Sequence, residues 1–194
     1  MSRPSLFVKI PKERIGVLIG PGGSVKETIE RRLSVDLKID SETGDVTITL
    51  NPDAENPAQL FKAKDVVIAI GRGFSPERAF RLIDDEETIL DVIDLREEVG
   101  RSPSNLRRVK GRIIGKDGKT RRIIEELTEA FVSVYGHTVA IIGKIEQART
   151  AREAIQMLIQ GSPHSTVYRF LHRERRKLKR MQLRLWETGE PLFP

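Results

Sequence analysis

The chain contains no cysteine, so a disulfide framework and a thiolate metal site are both excluded, and a reducing compartment is compatible. Histidine is scarce as well. His137, His164 and His172 are scattered, and none falls in the His-Glu-x-x-His spacing that sets two imidazoles on one helix face, so no metal and no other cofactor is expected. Long hydrophobic runs are missing. The longest, such as 66–70, fall far short of the about 20 apolar residues that span a bilayer, and residues 1–11 carry no apolar signal-peptide core. The simplest expectation is a soluble, cytoplasmic protein. Asparagine and glutamine are sparse beside Glu, Lys and Arg, a balance seen in hyperthermophile proteins.

Charge, by contrast, is plentiful. Charged residues make up 32% of the chain, with 34 Lys and Arg against 28 Asp and Glu, a formal net charge of +6 and a pI near 9.7. That excess favours an anionic partner, because Lys and Arg gain affinity for phosphates by releasing counterions. With 194 residues, 38% of them apolar, the chain can bury one ordinary core or two small ones.

An internal repeat decides in favour of two. The stretch Ile15-Gly16-Val17-Leu18-Ile19-Gly20-Pro21-Gly22-Gly23 lines up with Lys110-Gly111-Arg112-Ile113-Ile114-Gly115-Lys116-Asp117-Gly118, with Gly16, Ile19, Gly20 and Gly23 recurring at one offset, 115 − 20 = 95. The flanks repeat too. A strand-like run (6–10) precedes the first glycine loop, and Val25, Ile29 and Leu33 follow it on one helix face. Alternation at Val35, Leu37 and Ile39, then at Val46, Ile48 and Leu50, predicts two half-buried strands, and a helix from about residue 57 stops at Gly71. The second copy runs from a strand at 89–95 through Gly115 to a helix with Ile124, Leu127 and Phe131, paired strands on either side of Gly136, and a helix over 145–159. Ser75-Pro76 and Ser162-Pro163 each suit the start of a further helix. The predicted division is a first domain over 1–74, a connecting helix and acidic linker over 75–88, a second domain over 89–162, and a basic C-terminal helix and tail over 163–194.

A Gly-x-x-Gly between two helices lets a nucleic-acid backbone approach main-chain atoms, and the following helix offers free amides and the positive end of its dipole to a phosphate. Other glycine motifs fail at single positions. A phosphate-binding loop ending at Gly118-Lys119-Thr120 needs glycine where Ile113 stands, and the dinucleotide fingerprint from Gly20 and Gly22 needs glycine or alanine at Val25. The candidate contacts are Gly20, Pro21, Gly22, Gly23 and Lys26 in the first copy, and Arg112, Gly115, Lys116, Asp117, Gly118, Lys119, Arg121 and Arg122 in the second. The second loop carries more cations and is expected to bind more strongly. Past Arg169, a run of Arg and Lys shares a helix with Leu171, Leu178, Met181 and Leu185; that apolar stripe is expected to pack on the body, leaving the basic side to track phosphates or simply to face solvent.

These loops, in their order of elements, resemble the KH family. The resemblance implies an α+β fold of two tandem KH domains with the type I order β-α-α-β-β-α, each a three-stranded sheet with helices on one face, and a loop that clamps about four nucleotides of single-stranded RNA. The low aromatic content, 5%, suits an aliphatic groove better than extensive base stacking. Gly71-Arg72-Gly73-Phe74-Ser75-Pro76-Glu77-Arg78-Ala79, Gly115-Lys116-Asp117-Gly118-Lys119-Thr120, and Gly161-Ser162-Pro163-His164 with Val167-Tyr168 are similar to the partner-of-Nob family of small-subunit ribosome-assembly factors, including its archaeal members. That resemblance implies binding near the 3′ end of small-subunit ribosomal RNA during maturation, with a PIN-domain nuclease and translation initiation factor two alpha as partners. A protein-interaction adaptor with one vestigial KH domain is the alternative. An enzyme is not expected, since no Ser-His-Asp constellation is evident and the loops hold no histidine.

Overall fold

The computed structural model describes residues 3–54 and 56–188. In the first unit β1 (Ser5–Lys9) leads into α1 (Lys12–Ile19), α2 (Ser24–Leu33), β2 (Val35–Ile39), β3 (Asp45–Leu50) and α3 (Ala58–Gly71). β3 lies central and antiparallel to both neighbours, so that Ile48 faces Leu6 on one side and Leu37 on the other. Strict alternation sends Val35, Leu37, Val46, Ile48 and Leu50 to one face, where they pack on Leu18, Ile29 and the apolar length of α3. The opposite face is polar and open apart from Phe7, which is 79% exposed.

The second unit repeats the plan with β4 (Thr88–Asp94), a short α6 (Leu95–Val99), α7 (Pro103–Ile114), α8 (Lys119–Thr128), β5 (Phe131–Tyr135), β6 (Thr138–Lys144) and α9 (Ile145–Ile159), in the sheet order β4-β6-β5. Correspondence at the 95-residue offset reaches beyond the glycines. Ser34 and Glu129, neither of them glycine, both adopt positive φ (50° and 62°) where α2 and α8 end. Glu30 accepts the Leu37 amide at 2.8 Å, and Glu125 accepts the Val132 amide at 2.9 Å, each tying a helix to its neighbouring edge strand. One segment breaks the correspondence. Strand end and loop glycine lie 11 residues apart in the first unit (9 to 20) and 21 apart in the second (94 to 115), the difference being α6 and the extra leading turn of α7.

Two short helices, α4 (Pro76–Ala79) and α5 (Arg81–Asp84), join the units, and the joint is a packed interface. Ile93, Val132, Val139 and Ile141 face the second unit's own helices. Leu90, Val92, Phe131, Ala140 and Ile142 face the other way and extend the first unit's core around Phe74, Ala79 and Leu82. Helices on one face therefore describes the first sheet, whereas the second sheet is covered on both. Its central strand, buried from Thr138 to Gly143, carries the near-continuous apolar pattern that two-sided burial demands. Polar contacts align the joint. Ser133 Oγ donates to the Arg72 carbonyl at 2.8 Å, Tyr135 donates to Glu13 at 2.7 Å, and the Arg78 guanidinium lies 4.8 Å from the centre of the Phe131 ring while pairing with Glu125 at 3.3 Å. The acidic connector is matched from within the protein, by Arg32 on Asp84 (2.7 Å) and by Lys144 on Glu87 (2.7 Å) and Asp85 (3.8 Å).

Helix α10 (His164–Thr188) closes the second unit by burying Val167, Phe170 and Leu171. Leu178 is half-buried; Met181 and Leu185, expected on the same stripe, lie outside the described side chains. Among the described residues no helix is long and apolar enough to cross a membrane.

Candidate nucleic-acid interface

Both glycine loops adopt one backbone. Gly20 and Gly115 have φ, ψ of 74°, 172° and 73°, 174°; Gly22 and Asp117 have 59°, 19° and 52°, 31°; Gly23 and Gly118 have 86°, 2° and 75°, 12°. The first glycine of each loop is also demanded by packing. A Cβ on Gly115 would run into the Thr120 hydroxyl and come within 2.8 Å of the Thr120 nitrogen, while one on Gly20 would come within 2.9 Å of the Val25 nitrogen. Asp117 tolerates the left-handed region better than most non-glycine residues. Gly23 and Gly118 are the N-cap residues of α2 and α8 and have no side chain to cap with, so the first amides of both helices have no side-chain acceptor from that position and face the loop surface. α2 carries Glu27 in its first turn, which opposes an anion there. α8 carries no acid in its first turn.

The structure treats the candidate side chains unequally. Lys116, Asp117 and Lys119 project into solvent, as do Pro21 and Gly22. Lys26 is half-buried and lies 3.7 Å from Glu30. Arg122 is exposed but turns back to donate to the Asp117 carbonyl at 2.9 Å, bracing the loop's left-handed residue. Arg121 is half-buried, with its Nε enclosed and unpartnered. Arg112 points away from the loop surface. Its Nε donates to the Leu158 carbonyl at 3.1 Å, in the last turn of α9 and at the negative end of that helix, and its Nη2 to the Ser162 carbonyl at 2.6 Å, in the link that follows. Arg14 does the same for α3, through Ile70 at 2.8 Å and Phe74 at 2.6 Å.

Two glycines that sequence reasoning used only to align the repeat belong to the same surface. Gly16 and Gly111 sit inside α1 and α7, are exposed, have ordinary helical φ, and would place a Cβ in open space. Glycine inside a helix costs about 1 kcal/mol relative to alanine, and among the described residues nothing lies within 4 Å of the vacant Cβ position. Each lies one turn before its loop, so bare backbone continues from the loop onto the helix. Also unforeseen is a brace from α10. The Tyr168 hydroxyl lies 3.0 Å from the buried Thr120 hydroxyl, and His164 Nε2 lies 3.0 Å from the Arg112 carbonyl. Among the described residues no group of His, Asp and Glu could hold a metal ion.

Family models match both units: a KH domain over residues 5–69 and a eukaryotic-type (type I) KH domain over residues 89–176. A KH domain-containing protein of Methanocaldococcus jannaschii is 52% identical over 181 residues, covering 93% of this chain and 78% of that protein. The RNA-binding protein pno1 of Dictyostelium discoideum is 30% identical over 161 residues, covering 83% and 67%. The chain belongs to the Pno1/Dim2 family of KH-domain proteins. Proteins of this family bind RNA and are not catalysts. Dim2p from Pyrococcus horikoshii superposes with a TM-score of 0.82 at 53% identity, covering 88% of this chain and 99% of that one. A Pyrococcus horikoshii complex of a/eIF2alpha, aDim2p and rRNA matches with a TM-score of 0.84 at 51% identity, covering 90% and 96%.

Proposed function

We propose that the protein binds single-stranded ribosomal RNA, near the 3′ end of the small-subunit molecule during its maturation, and that the second glycine loop is the principal clamp. One observation carries this reading. Exposed Lys116 within the loop and Lys119 just after it accompany a backbone that is open to approach at Gly118 and leads into the acid-free N-terminus of α8. Gly115, Asp117 and Gly118 shape that clamp, Arg121 and Arg122 border it, and Arg112 positions it by fixing the end of α9. The rRNA in the Pyrococcus complex supports the choice of RNA, and a/eIF2alpha in the same complex supports initiation factor two alpha as a protein partner.

The first loop supports a second reading for its own unit. Gly20, Pro21, Gly22 and Gly23 keep the clamp's backbone, but Lys26 is engaged by Glu30 and Glu27 stands in the first turn of α2, so this unit serves as auxiliary RNA contact or as a protein docking surface. Titrating small-subunit 3′-end RNA and a shuffled RNA into the protein tests both readings. Preference for the authentic end, lost in Lys116→Gln/Lys119→Gln and retained in Lys26→Gln, is the expected result; equal affinity for the two RNAs sinks the 3′-end assignment.

A further inference from the structure

The ten-residue excess between β4 and the second loop has no counterpart in the first unit; it carries two arginines and two glutamates, and the fold gathers its arginines with cations of α7 proper on one side. Arg96 on α6, Arg101 in the link, and Arg107 and Lys110 on α7 line a shallow depression together with Pro103 and Leu106. No carboxylate lines it, and among the described residues none of these four cations enters an ion pair, although Glu97 and Glu98 are on α6 itself. Arg32, Arg78, Lys144 and Arg152, by contrast, each meet an acid. Arg96, Arg101 and Arg107 are exposed, and clustering like charges without a counterion costs folding energy that the fold itself does not recover. The N-terminus of α7, where Ser102 makes no side-chain cap, opens into the same depression.

We propose that Arg96, Arg101 and Arg107 form a second phosphate-binding site, which holds the RNA backbone outside the nucleotides gripped by the Gly115–Gly118 loop. The proposal rests on the RNA reading above and extends it to a longer footprint. α7 links the two sites. Its twelve residues span about 18 Å, and the helix carries Arg107 and Lys110 on one face toward Gly111 and the loop. Lys110 lies between the sites, lining the depression while its ammonium donates to the Gly136 carbonyl in the β5–β6 turn at 2.9 Å. The first unit, with an eight-residue α1 and no such insertion, has only the short footprint.

The test measures affinity for a uridine tetramer and a uridine dodecamer across a salt series, for the intact chain, for Arg96→Gln/Arg101→Gln/Arg107→Gln, for Lys116→Gln/Lys119→Gln, and for a charge-matched control, Lys9→Gln/Arg31→Gln/Lys38→Gln. All three cluster arginines are exposed, and circular dichroism with a melting curve establishes that each variant is folded. The salt slope is the deciding quantity, because the number of registers available on a longer homopolymer changes affinity but not slope. At about 0.7 per neutralised phosphate on a single strand, the dodecamer should show a slope steeper by about 2 than the tetramer. The cluster variant should lose that difference and keep tetramer binding, with the control unchanged. An unaltered dodecamer slope in the cluster variant overturns the proposal, and so does equal loss on both lengths or in the control, which would report only general surface potential. A loop variant that binds both RNAs as the intact chain does overturns the clamp reading instead.

Discussion

Gly111 separates stability from binding more cleanly than any charged residue here. Gly111→Ala adds a methyl that meets nothing, so the helix should gain about 1 kcal/mol, roughly 2–4 °C in melting temperature for a chain of this size. RNA affinity should fall, because the methyl occupies the bare backbone beside the loop; a rise in both quantities would remove Gly111 from the interface. Gly115→Ala should behave otherwise. Its Cβ collides with Thr120 at a φ of +73°, so a loss of about 1–3 kcal/mol is expected in denaturant melts even without RNA. Legibility at this scale follows chemistry that has only one use. Glycines in fixed register announce a backbone requirement, and both loops were readable for that reason. Arginine has several uses. Arg112 has the same residue type and neighbourhood as a phosphate contact, and only the carbonyls of Leu158 and Ser162, 46 and 50 residues away, reveal that its guanidinium is engaged.

Among the elements, α10 divides into a structural and a basic half. Val167, Phe170 and Leu171 are buried and His164 and Tyr168 brace the loop, so Phe170→Ala should cost about 3–5 kcal/mol in chemical denaturation. Deleting residues 175–194 removes Arg175, Arg176, Lys177, Lys179 and Arg180 while keeping that core contact. It should leave the melting temperature within a few degrees and reduce the salt slope of RNA binding; a collapsed fold would show that the distal half is structural too. Elements with a sustained period were legible, as the matching bounds of α9 and the near-matching bounds of α3 and β4 illustrate. α6 was not. Five residues give too little periodicity to register, and the insertion that contains it has no partner in the repeat against which to be noticed.

For the whole molecule, the shared apolar layer predicts one cooperative transition rather than two. Ala140→Asp, which buries a carboxylate in the apolar layer that also holds Phe74 and Leu82, should split the melting curve or lower it sharply, and differential scanning calorimetry distinguishes the outcomes. The Tyr135–Glu13 contact adds a pH signature. The tyrosine hydroxyl, more than any other group, holds the Glu13 carboxyl below its usual range, so the contribution is present above the unfolded-state value and disappears as pH falls through the lower folded value. The stability difference between the intact chain and Tyr135→Phe should therefore shrink in acid; a difference constant from neutral to acidic pH would mean that the carboxylate is irrelevant to the joint. The joint itself was the least legible feature. Thr138–Lys144 reads equally well as an ordinary central strand, and only the packing shows that Ala140 and Ile142 belong to the first unit's core while Val139 and Ile141 belong to the second's.

That double-faced strand bears on how the chain comes off the ribosome. Residues 3–84 emerge first and can fold their open-faced sheet before the second unit exists, leaving Phe74, Ala79 and Leu82 waiting for cover. The later unit then covers them with the outer face of its own sheet. Made without the first unit, the later one would bare Leu90, Val92, Ala140 and Ile142 on one face of its sheet, an exposed apolar patch. Synthesis order thus guards the stickier half of the molecule.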